Sequence, residues 1–81
     1  MEVEEIRREA ESIFEEYDAN FAGKPRATRE VAKLDELIER LEDLLEEAKS
    51  RLNGGRNEDL LATIEKATDN LEIYRRERRA I

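Results

Sequence analysis

The chain has 81 residues, of which 46% are charged and 38% hydrophobic, and its formal net charge is −7. That length supports one domain, and the longest apolar run, Leu60-Leu61-Ala62, is far too short to span a bilayer. With no Cys and no His, disulfides, thiolate metal sites and imidazole chemistry are excluded, and the acidic balance disfavours a nucleic-acid binder that uses its whole surface.

The first predicted element covers about residues 2–22. Val3, Ile6, Ala10, Ile13 and Tyr17 recur alternately three and four apart, which lines one side of a helix with apolar groups; Phe14 and Phe21 widen that stripe. The opening Met1-Glu2-Val3-Glu4-Glu5 is acidic and lacks an apolar h-region, so no secretory signal is expected. Gly23-Lys24-Pro25 breaks the pattern. Gly suits the left-handed residue just past a helix end, and Pro suits the first turn of the next.

The second predicted helix spans about 26–52, with Thr28 as an alternative cap. It carries the clearest rhythm of the chain: Val31, Leu34, Ile38, Leu41, Leu45, Ala48, Leu52. Leu37 and Leu44 lie beside it. A two-stranded coiled coil needs only a narrow seam, so this width points to a three-helix bundle. Leu41-Glu42-Asp43-Leu44-Leu45 also matches the Leu-x-x-Leu-Leu pattern of coregulator helices, but all three leucines are assigned to the core.

Asn53-Gly54-Gly55 stops the second helix. Asn57 is an expected N-cap for the third, about 57–80, with Glu58 and Asp59 in its first turn, where carboxylates favour the helix dipole. Its stripe is Leu60, Ile64, Ala67, Leu71 and Tyr74, with Leu61 alongside. The pairs Glu4–Arg8, Glu36–Arg40, Glu47–Arg51 and Glu72–Arg76 have the favourable acid-first i,i+4 order. Short connections favour antiparallel neighbours. The expectation is therefore all-α: one domain over 1–81, an antiparallel up-down-up three-helix bundle with heptad-like core packing.

No catalytic, cofactor-binding or metal-ligating set emerges. The stripes carry no Asp or Glu, and the hydroxyls of Ser12, Ser50, Thr28, Thr63 and Thr68 have no His partner. Gly54-Gly55 follows no strand and is not a phosphate loop. An enzyme is not expected, and neither a cofactor nor a membrane partner is.

Two clusters stand out at one end. Up-down-up topology would bring Lys24, Arg26 and Arg29 near Arg75, Arg76 and Arg79, with Arg78 close by. Arginine and free backbone N–H groups could there hold an anion or nucleic-acid phosphates. Basic residues in the last turn of the third helix also complement its dipole without any partner. Asn20 and Arg78 interrupt the apolar rhythm next to Tyr17 and Tyr74, so a polar network of Tyr17, Asn20, Tyr74 and Arg78 is expected.

Three functional readings follow. The first is a non-enzymatic structural or protein-interaction bundle. Regular heptads and the Glu/Leu/Arg bias suit a designed scaffold, whereas the irregular stretch from Tyr17 to Arg26 suits a natural chain. The second is anion or nucleic-acid binding at the cationic end. The third is a helical homo-oligomer using Leu37, Leu44, Leu61 and Ile73. For a natural chain the expected location is cytoplasmic.

Overall fold

The computed structural model describes residues 2–24, 30–52, 55 and 57–80. Three helices, α1 (Val3–Asn20), α2 (Val31–Leu52) and α3 (Glu58–Ala80), pack pairwise into an all-α three-helix bundle measuring 44 × 20 × 16 Å. Among the described helices, none is long and apolar enough to cross a membrane.

The local signals act as expected at two boundaries. Asn57 Oδ1 accepts from the Leu60 N–H at 3.0 Å, satisfying one of the orphan donors at the start of α3. At the end of α1 the Phe21 N–H donates to the Tyr17 carbonyl at 2.8 Å, and Gly23 takes φ +72°, the left-handed geometry that glycine adopts without a Cβ clash.

The described α2 starts at Val31, with Glu30 just outside it. The Leu34 N–H donates to the Glu30 carbonyl at 3.1 Å. The expected starts at Pro25–Arg26 and at Thr28 lie outside the described residues, as does the stop at Asn53-Gly54. The helix thus begins with the first apolar residue of its stripe, where burial adds to propensity.

Side-chain contacts give the topology. Across α1 and α2, Glu16 meets Lys33, Glu9 meets Arg40 and Glu2 meets Arg51, so numbers rise on one helix as they fall on the other. Across α2 and α3, Asp35 meets Arg78 and Glu42 meets Arg75, again in opposite order. Phe14 lies under Lys66 and Tyr17 stacks on Tyr74, so α1 and α3 run in the same direction. The arrangement is up-down-up.

The core contains Ile6, Ala10, Ile13 and Phe21 from α1 and its C-cap turn, Leu60, Ala67, Leu71 and Tyr74 from α3, and six residues of α2. On α2 the buried set is Leu34, Leu37, Leu41, Leu44, Leu45 and Ala48, whereas Val31, Ile38 and Leu52 are only partly covered. Leu37 and Leu44, expected as a spare face for oligomerisation, are 0% and 5% exposed. The reason is that α2 packs more extensively on each of its neighbours than they pack on one another, so its buried arc is wider than one heptad seam and takes in both leucines.

Leu61 and Ile73 do remain exposed, at 39% and 46%. They are twelve residues apart on α3, which sets them about 120° apart around the helix and roughly 18 Å apart along it. They do not share a patch.

Candidate functional site

The charged residues at the end of α3 are mostly engaged within the bundle. Arg75 donates to Glu42 Oε2 at 2.7 Å, Arg76 to Glu72 Oε1 at 2.8 Å and Arg78 Nε to Asp35 Oδ1 at 2.7 Å. Arg75 and Arg78 lie less than one turn apart on α3, yet they reach carboxylates about two turns apart on α2, Glu42 and Asp35. Lys24 and Arg79 are exposed and make no ion pair with another described residue. Arg26 and Arg29 lie outside the described residues.

The expected four-residue polar network is brought together only in part. Tyr17 and Tyr74 stack with ring centroids 4.2 Å apart and planes inclined by 20°, and Phe21 adds a tilted contact 5.4 Å from Tyr17. Asn20 is exposed and donates to the Glu16 carbonyl of its own helix at 2.7 Å, while Arg78 turns to Asp35. The Tyr74 hydroxyl is buried with no hydrogen-bond partner among the described residues. Burial is the main cause that raises its pKa, with the Asp18 carboxylate adding to it. Geometry explains the outcome. Both rings are drawn towards the apolar seam by area, and their stacking holds the Tyr74 ring buried although its hydroxyl has no hydrogen-bond partner among the described residues.

The most heavily charged construction in the bundle is one that sequence reading did not single out. Glu2, Glu9 and Glu16 recur every seven residues along α1 and all face α2. Arg40 donates to Glu9 at 2.9 Å and to Glu16 at 2.6 Å, gripping both at once. Lys33 donates to Glu16 at 2.8 Å, and Arg51 reaches Glu2 at 2.9 Å. Glu36 adds weaker contacts to Lys33 and Arg40 from their own helix. The hydrogen bond from Lys33, then that from Arg40, lowers the pKa of Glu16 against the opposing effect of desolvation. The same bond to Glu16 raises that of Lys33. The seven-residue repeat of acids opposite Lys33 and Arg40 is the signal that could have revealed this rail, because heptad-spaced residues beside the seam face the neighbouring helix.

Each pair of helices leaves a shallow groove. The one between α1 and α2 encloses about 430 Å³ and is bridged by Arg40 and Glu9. The one between α2 and α3 encloses about 360 Å³ and is bridged by Arg75 and Glu42. The third, between α1 and α3, encloses about 240 Å³. Its floor is Ala10, Phe14, Ala62 and Thr63; its rim is Arg7 and Glu11 on one side, Asp59 and Lys66 on the other. None of these rim charges forms an ion pair across the groove. Arg7 pairs with Glu4 on its own helix at 2.5 Å, and Lys66 sits 5.2 Å above the Phe14 ring. Glu11 and Asp59 have no ion-pair partner among the described residues.

Among the described residues, no group of three or more His, Cys, Asp or Glu side chains converges as a metal-binding cluster. No protein-family model matches the chain, and neither a curated protein nor a solved structure matches it.

Proposed function

We propose that this chain is a non-enzymatic structural or protein-interaction module, a preformed helical body that works through its surface. One observation carries the reading. The large apolar side chains close over one another within a single chain, and only Leu61 and Ile73 stand exposed among the described residues. Cross-helix ion pairs add orientation to that core, which is what a rigid presenting surface needs. Sedimentation velocity over a wide concentration range, combined with thermal unfolding followed by circular dichroism, tests it. A helical monomer with one cooperative transition and a concentration-independent midpoint is expected. A midpoint that rises with concentration would transfer the proposal to a helical homo-oligomer.

Anion or nucleic-acid binding at the cationic end is the second reading. Exposed Lys24 and Arg79, without ion pairs to other described residues, favour it. The carboxylates already held by Arg75, Arg76 and Arg78 count against it. Binding of a phosphate-rich polymer that weakens steeply with salt, and is lost when Lys24 and Arg79 become alanine, is its expected signature.

A further inference from the structure

We propose that α1 is a releasable strap: it detaches from the α2–α3 pair in an opening that costs less than global unfolding and bares the apolar face beneath it. This goes beyond the interaction reading above, because it gives the bundle a second, minor native form. Four features set α1 apart from the other two helices.

Local stabilisation is the first. α3 is capped by Asn57, holds Glu58 and Asp59 in its first turn and ends on Arg78 and Arg79, all matched to the helix dipole. α2 ends on Lys49 and Arg51. α1 starts with Glu4 and Glu5, but its N-cap residue Glu2 makes no side-chain cap bond, and its last turn holds Asp18 and no cation. It is also the shortest helix, with 18 residues against 22 and 23. A detached helix of that length is marginal in water, so α1 unwinds as it leaves.

Charge is the second. Glu2 to Asn20 carries eight carboxylates and two arginines, and α2 carries seven carboxylates and four basic groups. Seating α1 therefore brings two acidic helices together, which disfavours the compact state. Lys33, Arg40 and Arg51 reverse that repulsion locally, and Arg40 serves Glu9 and Glu16 at once. These pairs are partly exposed, so each one holds weakly.

Packing is the third. The contact of α1 with α3 is the thinnest of the three seams, and that of α2 with α3 is the most extensive. When α1 leaves, the α2–α3 pair keeps the Arg75–Glu42 and Arg78–Asp35 ties and the leucines Leu45 and Leu71 that line its groove. The fourth feature is Tyr74. Its ring stacks on Tyr17 of α1, and its buried hydroxyl has no hydrogen-bond partner among the described residues. Seating α1 thus covers a donor that stays unsatisfied, and opening returns it to water. Leu44, which lines the groove between α1 and α2, is bared with it.

Native-state hydrogen exchange of the full chain, read amide by amide by NMR at one pH and one salt concentration, tests this. Ala10 and Ile13, midway along α1, are expected to exchange about tenfold or more faster than Leu41, Leu45, Ala67 and Leu71. Arg40→Met should speed Ala10 and Ile13 by about two- to fivefold. The pair Arg75→Met/Arg78→Met cuts two ties between α2 and α3. It should speed the α2 and α3 amides by a similar factor and leave those of α1 unchanged, since both ties survive the opening. Tyr74→Phe should slow Ala10 and Ile13, because the closed form alone leaves the hydroxyl unsatisfied. Four results overturn the proposal: equal protection of the three helices, equal acceleration of all three by Arg75→Met/Arg78→Met, α1 exchange that Arg40→Met leaves unaltered, or α1 exchange that Tyr74→Phe does not slow. Circular dichroism confirms that each variant is helical. The open form is a minor population, so the single cooperative transition expected above is unaffected, and failure here leaves the interaction reading standing.

Discussion

The seams on the two sides of α1 are built differently. Towards α2, three glutamates at heptad spacing meet Lys33, Arg40 and Arg51, and the grip of Arg40 on two of them specifies direction and register. Towards α3, charges of both signs are present but turn back to their own helix or to an aromatic face, and the two helices meet through Tyr17–Tyr74 stacking and buried apolar groups. The contrast teaches that opposite charges near a seam do not close it. Closure requires that heptad phase put them on facing flanks at the same level, as in Glu9, Glu16 and Arg40, whereas Arg7 and Asp59 line the same groove without bridging it.

The strongest way to break the comparison is to remove what both seams share. Leu37→Ala empties a fully buried site on the middle helix and should cost about 2–5 kcal/mol, read by urea denaturation. A loss below about 1 kcal/mol would show that α2 is not packed on both flanks, since surface changes stay near that range. Replacing Arg40 by Met separates the two seams more sharply. It removes the bridge to Glu9 and Glu16 and is expected to cost about 1 kcal/mol, at the upper end for partly exposed pairs because several charges are joined. Arg7→Met on the other seam should lower the midpoint less, because the one ion pair Arg7 makes among the described residues is to Glu4 of its own exposed helix face.

Acid titration sharpens the same contrast. The folded-state pKa of Glu16 is depressed, chiefly by Lys33 and then by Arg40, so Glu16 contributes stability above the ordinary glutamate range. That contribution is lost as pH falls through the depressed value, because the unfolded chain then binds the proton more readily. Glu16→Gln should therefore flatten part of the decline in denaturation midpoint between neutral and acidic pH. The smallest effect is expected at the aromatic contact. Tyr74→Phe deletes a buried hydroxyl without a partner among the described residues and should be neutral or stabilise by up to about 1 kcal/mol. A clear destabilisation would show that the hydroxyl is satisfied in solution.

Much of this architecture is legible in the sequence, and what is illegible has a common cause. The caps at Asn57 and Gly23 and the i,i+4 pairs Glu4–Arg8, Glu36–Arg40 and Glu72–Arg76 follow from the geometry of one helix, and they form. On α2 two interleaved 3-4 series are possible, one through Ile38 and one through Leu37 and Leu44. Periodicity alone does not choose between them, because a middle helix has two neighbours. The candidate cationic cluster shows the same limit. Arg75 and Arg78 read as a terminal basic run along the chain, yet in space each faces a carboxylate of α2.

By itself the sequence determined the number of helices, the apolar stripes of α1 and α3, and the caps at Gly23 and Asn57, since hydrophobic period, capping groups and chain breakers act within a few residues. Only the tertiary structure decided which face of α2 is central, which carboxylate each arginine meets, and which of the three seams are tied by ion pairs. Those outcomes depend on the relative level of two helices, a distance that no local interaction along the chain encodes.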